Sequence, residues 1–147
     1  MSTVLPVLVA EDEETDVMLL RVAWERALVP NPLVVAHDGQ EMIDYLSGKP
    51  PFADRISHPL PVLLLVDLKM PRMTGFDVLA WLARQPTFKD LPAVVLSSSS
   101  YPADIENAKR MGARDYFVKP PNFHQLIKLI QDLSIKFLTN SKSTPRA

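Results

Sequence analysis

Short runs of branched apolar residues alternate with segments of helical periodicity along this chain, and the pattern occurs five times. The apolar runs are predicted to be strands at Val4 to Ala10, Pro32 to Ala36, Val62 to Asp67, Ala93 to Ser97 and Asp115 to Val118. The other segments are predicted to be helices at Thr15 to Leu28, Gly39 to Leu46, Thr74 to Arg84, Pro102 to Met111 and Asn122 to about Leu138. This alternation favours an α/β fold, with a doubly wound parallel sheet between helices and right-handed crossovers.

Local signals indicate where several of these elements begin and end. Thr74 and Asp77 have the spacing of a capping box, Asn122 is a suitable N-cap, and Gly112 is expected to close the fourth helix. The second strand begins with Pro32, which favours an edge position. The third strand is the most uniformly apolar and is expected to be central.

Length and composition limit the class of protein. The 147 residues fit a single domain, expected over residues 1–140, followed by a short polar tail at 141–147. A hydrophobic content of 47% argues against a disordered chain, and a net charge of -1 disfavours a nucleic-acid-binding surface. The absence of cysteine excludes disulfides, thiol catalysis and cysteine-ligated zinc.

The sequence predicts neither a signal peptide nor a membrane-spanning helix. No basic region precedes the first apolar stretch, as it would in a signal peptide. No run approaches the roughly 20 apolar residues that a membrane helix needs. A soluble, cytoplasmic protein is the expectation.

One connection, from Gly48 to Pro61, is long and contains four prolines. It exceeds the usual length of about 4–6 residues, and such loops are either functional or simply tolerated. A rigid insertion packed on the surface is favoured over a functional loop.

Polar side chains lie at the carboxyl ends of four predicted strands, and they are Glu11, Asp12, Asp67, Ser97 and Lys119. In open α/β sheets this edge is where ligands bind. Carboxylates suit Mg²⁺, which prefers oxygen ligands in near-octahedral geometry. Asp12 and Asp67 are predicted to ligate directly, Glu11 directly or through water, and Lys69 through its backbone carbonyl.

The same edge carries the groups that phosphoryl transfer needs. Asp67 is a competent phosphoryl acceptor if the incoming charge is neutralised, which Lys119 would do together with the metal. The hydroxyl of Ser97 and the amide of Ser98 are candidate donors to phosphoryl oxygens. Ser99 and Ser100 are expected to be ordinary loop residues.

Four motifs in this order resemble the receiver domains of two-component response regulators. They are Val9-Ala10-Glu11-Asp12, Val66-Asp67-Leu68-Lys69-Met70-Pro71-Arg72-Met73-Thr74-Gly75, Leu96-Ser97-Ser98 and Gly112-Ala113-Arg114-Asp115-Tyr116-Phe117-Val118-Lys119-Pro120. Each motif alone is weak, but the ordered set is highly specific and covers about Val4 to Leu138. The resemblance implies a flavodoxin-like (βα)5 fold with strand order 2-1-3-4-5.

The resemblance also implies a role for each matching acidic residue. Asp67 would be the site phosphorylated by a sensor histidine kinase or a histidine phosphotransfer protein. Glu11 and Asp12 would be the acidic pair that binds Mg²⁺ or Mn²⁺ together with Asp67. The chain would catalyse only its own aspartyl phosphorylation and dephosphorylation, and so is not predicted to be an enzyme acting on a separate substrate. Lys69 would face the phosphoryl group and alter its hydrolysis.

The remaining matches imply a conformational switch. Ser97 would move toward the phosphoryl group, and Tyr116 would turn inward in response. Lys119 would be the lysine of the pattern, with a cis peptide bond to Pro120. The readout surface would lie around the fourth helix, fifth strand and fifth helix, where a homodimer is a further expectation. The chain looks most like stand-alone regulators associated with phytochrome-type kinases.

Other functions remain as alternatives. A Mg-dependent phosphatase or phosphotransferase with an aspartyl nucleophile usually has a second acid two residues later, where this chain has Lys69. A flavin-binding electron carrier would need a phosphate-binding loop after the first strand, where this chain has acids. The intact site disfavours a degenerate receiver, and the lack of a predicted second domain disfavours a DNA-binding regulator.

Overall fold

The computed structural model describes residues 4–139, which form one five-stranded parallel sheet between two layers of helices. The strands are β1 (Val7–Ala10), β2 (Leu33–Ala36), β3 (Leu63–Val66), β4 (Ala93–Ser97) and β5 (Asp115–Val118). The helices are α1 (Glu14–Arg26), α2 (Gly39–Ser47), α3 (Gly75–Ala83), α4 (Pro102–Arg110) and α5 (Phe123–Leu133). Residues 1–3 and 140–147, which include the predicted polar tail, lie outside the described residues.

The strand order is β2-β1-β3-β4-β5, and every neighbouring pair is parallel. This confirms the predicted fold class, the predicted order, the central position of β3 and the edge position of β2. The register places Ala10 opposite Val66, and Ser97 opposite Val118. Residues that directly follow these strands therefore emerge next to one another at the carboxyl edge of the sheet.

The core has two parts, one on each face of the sheet, because successive strand residues point to opposite faces. On one face, strand residues such as Leu8, Leu64 and Val95 pack with residues of α2, α3 and α4. On the other face, Val9, Leu65 and their neighbours pack with α1 and α5. Each residue of β3 is at most 1% exposed, as expected for a strand covered on both sides.

Helix ends follow the predicted signals. Thr74 and Asp77 form a complete capping box at α3, and Asn122 accepts hydrogen bonds from the amides of His124 and Gln125 at α5. Gly112 follows α4 with a φ of 112°, a left-handed conformation that glycine adopts without a side-chain clash. Within residues 4–139, no helix combines the length and the apolar character needed to cross a membrane.

Most element ends lie within two residues of the prediction, and the two larger differences are at the start of β1 and the end of α5. β1 begins at Val7 rather than Val4, since Val4 and Leu5 are about two-fifths exposed and Pro6 has no amide to donate. After Leu133 the last helix changes to a π-helix, Ser134–Thr139. The wider turns keep Leu138 in the core, where it is 3% exposed.

The long connection before β3 is a packed surface insertion, as the sequence favoured. The guanidinium of Arg55 donates to the carbonyl oxygens of Tyr45, Leu46, Phe52 and His58 at 2.9, 2.9, 3.4 and 3.1 Å. The rings of Tyr45, Phe52 and His58 lie within 6 Å of one another, with centroid separations of 5.2 to 5.9 Å. A single half-buried cation therefore holds the loop against the end of α2.

Candidate functional site

Three carboxylates meet at the carboxyl edge of the sheet. Glu11 and Asp12 directly follow β1, and Asp67 directly follows β3. Their backbones are fixed by the sheet, because the amide of Asp67 donates to Ala10 at 3.2 Å and the amide of Glu11 donates to Ala36 at 3.0 Å. One oxygen from each of the three acids lies within 4.8 Å of the others, and we call this cluster the acidic pocket.

The acidic pocket is unevenly buried. Glu11 is 3% exposed and Asp67 is 6% exposed, whereas Asp12 reaches solvent. Burying carboxylates without compensating charge costs several kcal/mol, so the pocket needs a cation. Of the three acids, Asp12 is therefore the most accessible to a solvated ion.

Lys119 supplies positive charge inside the protein. Its ammonium donates to Glu11 Oε1 at 2.6 Å, to Asp16 Oδ2 at 2.8 Å and to Asp67 Oδ2 at 3.0 Å. An ammonium has three donor hydrogens, so these contacts match its full capacity. The backbone amide of Lys119 also donates to Ser97 at 2.8 Å, which fixes the base of the side chain to β4.

The clustered charges shift two pKa values. Burial raises the pKa of Glu11 to about 7, and the nearby Lys119 only partly offsets this effect. Burial alone would lower the pKa of Lys119, but hydrogen bonds to Asp16 and Glu11 outweigh it and raise the pKa above its usual value. Lys119 therefore remains a cation across the physiological range.

Asp16 was not among the residues that the sequence singled out. It lies in the first turn of α1, and its side chain is 40% exposed. Acids are common in the first turn of a helix because they interact favourably with the helix dipole, so the sequence pattern has an ordinary explanation. Its place one turn beyond the acidic pair was the available signal, but only the fold shows that Lys119 reaches it.

Ser97 and Tyr116 are joined through Ser99. Ser97 is fully buried, and its hydroxyl oxygen accepts a hydrogen bond from the amide of Ser99 at 3.2 Å. The Tyr116 hydroxyl donates to the carbonyl of Ser99 at 2.8 Å. The Ser99 hydroxyl donates to Asp104 at 2.5 Å and accepts from the amide of Tyr101 at 3.3 Å. The expectation that Ser99 is an ordinary loop residue was wrong, because it is 6% exposed and takes part in these four hydrogen bonds.

The two other predicted site residues lie at the surface of the same edge. The amide of Lys69 donates to Asp67 Oδ1 at 3.2 Å, which orients the carboxylate, and its side chain is exposed. Ser98 is exposed directly after β4. The sheet thus brings the predicted metal, acceptor, lysine and serine residues to one edge, while Tyr116 lies within β5 opposite Val95.

The peptide bond between Lys119 and Pro120 is trans, so the expected cis bond was wrong; within residues 4–139 the cis bond joins Pro50 and Pro51. Trans is the favoured isomer for a bond to proline by about 0.5–1 kcal/mol. From the trans arrangement, Lys119 already reaches its carboxylate partners.

The donor set fits a hard divalent cation. Glu11, Asp12 and Asp67 offer only carboxylate oxygens, and neither histidine nor cysteine belongs to the group. Magnesium and manganese prefer such ligands, whereas zinc and copper favour nitrogen and sulfur. The acidic pocket therefore has the chemistry of a divalent metal site.

Comparison with known proteins gives a consistent assignment. A family model described as the response regulator receiver domain matches residues 7–131. The structure of response regulator RPA3017, from red light signaling of R. palustris, has a TM-score of 0.87 and 36% identity, covering 97% of this chain and 100% of its own. The phosphorylated cyanobacterial phytochrome response regulator RcpA has a TM-score of 0.84 and 30% identity, covering 94% of this chain and 96% of its own.

A third relative is the response regulator Rcp1 of Synechocystis sp. It is 27% identical over 127 residues, which cover 86% of this chain and 84% of Rcp1. A structure described as the Mn(2+)-bound form of Rcp1 has a TM-score of 0.81 at 26% identity, covering 97% of this chain and 99% of its own. Since the family match spans most of the chain and agrees with the sheet order and the acidic pocket, this protein belongs to the response regulator receiver domain family.

Proposed function

We propose that this protein accepts a phosphoryl group on Asp67, with Mg²⁺ or Mn²⁺ in the acidic pocket, and signals by a conformational change. The observation that carries this proposal is the contact between Lys119 and Asp67. A buried carboxylate lies 3.0 Å from an ammonium and belongs to a group of three acids suited to a cation. Phosphoryl transfer depends mainly on positioning and on neutralising charge, and this arrangement provides both.

Each site residue has its own role in the proposed phosphoryl transfer. An Asp67 oxygen forms a bond to phosphorus while the bond from phosphorus to the donor nitrogen or oxygen breaks, and the leaving group departs with that electron pair. Lys119 neutralises charge on the transferred group, and the Ser97 hydroxyl and Ser98 amide donate to its oxygens. Glu11, Asp12 and Asp67 would hold a divalent cation, which would supply further positive charge.

The output follows from the loop after β4. If Ser97 turns its hydroxyl toward a phosphoryl oxygen, it gives up the hydrogen bond that it accepts from the Ser99 amide. Ser99 also holds Tyr116, so the rearrangement reaches β5 and the surface formed by α4, β5 and α5. The added charge biases this two-state element. We include a homodimer through this surface in the proposal.

The phosphoryl donor in this proposal is a sensor histidine kinase or a histidine phosphotransfer protein of the phytochrome type, in the cytoplasm. The phytochrome assignment is supported by the similarity to the phytochrome response regulator RcpA and not by a feature of this chain. In this scheme the protein catalyses its own phosphorylation and dephosphorylation and acts on no separate substrate.

A phosphatase with an aspartyl nucleophile is not favoured. Such an enzyme would use a second acid two residues after the nucleophile, and Lys69 occupies that position. The Lys69 side chain is exposed and positively charged, so it cannot serve as the proton-donating carboxylic acid of that mechanism.

The experiment is incubation of the full chain with acetyl phosphate and Mg²⁺, followed by intact-mass analysis. The wild type should gain a single phosphoryl group, and Asp67→Asn should gain none. Asp90→Asn is the matched control, because Asp90 is an exposed aspartate just before β4, at the opposite edge of the sheet. EDTA should prevent labelling of both the wild type and the control. Equal labelling of the wild type and Asp67→Asn would refute Asp67 as the acceptor.

A further inference from the structure

The ammonium of Lys119 is shared among three carboxylates that differ in exposure. Glu11 and Asp67 are buried, with side-chain exposures of 4% and 8%, while Asp16 is 40% exposed. Glu11 and Asp67 belong to the acidic pocket, and Asp16 does not. Asp16 is therefore the outermost of the three partners and the one that is not also a candidate metal ligand.

A bound cation would compete with Lys119 for two of these three carboxylates. Glu11 and Asp67 would ligate the cation, and both also accept hydrogen bonds from Lys119. The carboxylate of Asp16 would remain wholly available to the ammonium. The contact between Asp16 and Lys119, at 2.8 Å, is thus the one most able to persist when the acidic pocket is filled.

The lysine side chain can move while its base stays fixed. Its backbone amide is bound to Ser97, but the ammonium sits on a flexible four-carbon stem. To donate to a phosphoryl group on Asp67, the ammonium must redirect one of its three hydrogens. The rate of phosphoryl transfer to Asp67 then depends on which carboxylate Lys119 releases.

We propose that Asp16 is a positioning residue that holds Lys119 at the outer side of the pocket and competes with the phosphoryl group for its ammonium. This inference rests on the proposed phosphorylation of Asp67. Loss of the Asp16 charge should free Lys119 for the incoming group. The expected result is a half-saturating concentration of acetyl phosphate that is lower by about threefold, the size of effect of one ion pair to a partly exposed carboxylate.

The first test observes Lys119 directly in the metal-free protein. In ¹⁵N NMR of lysine ammonium groups, Asp16→Asn should shift or broaden the Lys119 signal, which Lys119→Met identifies by its loss. Glu13→Gln is the matched control, since it removes the same charge beside the same helix. Glu13 is exposed, and among residues 4–139 its carboxylate has no hydrogen-bond partner. An unchanged signal in Asp16→Asn would overturn the proposal.

The second test measures the rate of labelling against acetyl phosphate concentration at saturating Mg²⁺. Asp16→Asn should need less acetyl phosphate than Glu13→Gln, and Asp16→Glu should return toward the wild type because it restores a carboxylate. Equal half-saturating concentrations for Asp16→Asn and Glu13→Gln would count against the competition. If the wild type is not labelled at all, the proposed function fails instead, and the NMR result alone decides whether Asp16 anchors Lys119.

Discussion

Replacing Gly75 with alanine tests how closely the start of α3 is pressed against the backbone that carries Asp67. A Cβ at Gly75 would lie 2.4 Å from the carbonyl oxygen of Asp67 and 2.8 Å from Cα of Leu68. Both atoms belong to the backbone, so no rotamer change relieves the overlap. The capping box at Thr74 and the hydrogen bond from the Gly75 amide to Leu68 at 3.0 Å hold the helix in place. Either α3 or Asp67 must therefore move.

The size of the effect follows from this geometry. The shortest contact must lengthen by at least 0.6 Å, from 2.4 to 3.0 Å, before it reaches a distance that real structures show. Overpacking costs about 1–3 kcal/mol, and contact with backbone puts this case near the upper end, at about 2–3 kcal/mol. With a urea m value of about 2 kcal/mol/M, the unfolding midpoint should fall by about 1–1.5 M. Displacement of Asp67 should also slow its labelling by acetyl phosphate.

Gly112→Ala is the control for this substitution. A Cβ at Gly112 would meet nothing within 4 Å, but the φ of 112° disfavours any side chain. Its cost should therefore be a backbone cost of about 1–2 kcal/mol, without an effect on labelling. If Gly75→Ala unfolds at the same urea concentration as the wild type, or is more stable than Gly112→Ala, the steric argument is wrong.

Three further predictions concern the loop, the buried acid and the β4–α4 turn. Arg55→Ala removes four hydrogen bonds to carbonyl groups and should lower the free energy of unfolding by about 2–3 kcal/mol, as measured in urea. Arg55→Lys should restore little, because one ammonium cannot span the same carbonyls; full restoration would contradict the account. In EDTA, the free energy of unfolding should fall as pH rises from about 5 to 7, since Glu11, with a pKa of about 7 against an ordinary 4.5, keeps a proton that the unfolded chain has lost. Glu11→Gln should flatten this dependence, and an unchanged slope in that variant would assign it to other groups. Ser99→Ala should destabilise the protein by about 1–2 kcal/mol in thermal unfolding. In a double-mutant cycle with Asp104→Asn the two losses should not add, and simple additivity would show that the Ser99–Asp104 contact contributes nothing.

The sequence predicted most of the fold because its signals are local. Apolar and aromatic runs predicted β4 and β5 at the residues where they occur, and the capping box at Thr74 is present as expected. The parallel sheet follows from alternation, since consecutive strands joined by helices must run in the same direction. The ends of elements were predicted less well where burial determines them. Val4 is apolar, for example, but its side chain is partly exposed and it lies outside β1.

The contacts of Asp16, Ser99 and Arg55 could not be predicted in the same way. Each side chain is polar and lies in a turn, a loop or the first turn of a helix, where such residues are common for local reasons. Asp16 and Lys119 are separated by 103 positions. Their contact depends on how far one side chain extends from the first turn of α1 and the other from the residue after β5. The trans isomer of the Lys119–Pro120 bond could not be predicted from the sequence either, because a family resemblance does not determine the isomer in one chain.

The amino-acid sequence alone determined the order of elements and the edge of the sheet at which Glu11, Asp12, Asp67, Ser97 and Lys119 appear. This was possible because strand periodicity and parallel pairing dictate which residues follow which strands. Only the tertiary structure decided which carboxylates share the ammonium of Lys119, which acid stays buried with a raised pKa, and which serine links Ser97 to Tyr116. Those properties depend on distances of a few ångströms and on exclusion of water, and both arise only when remote segments pack together.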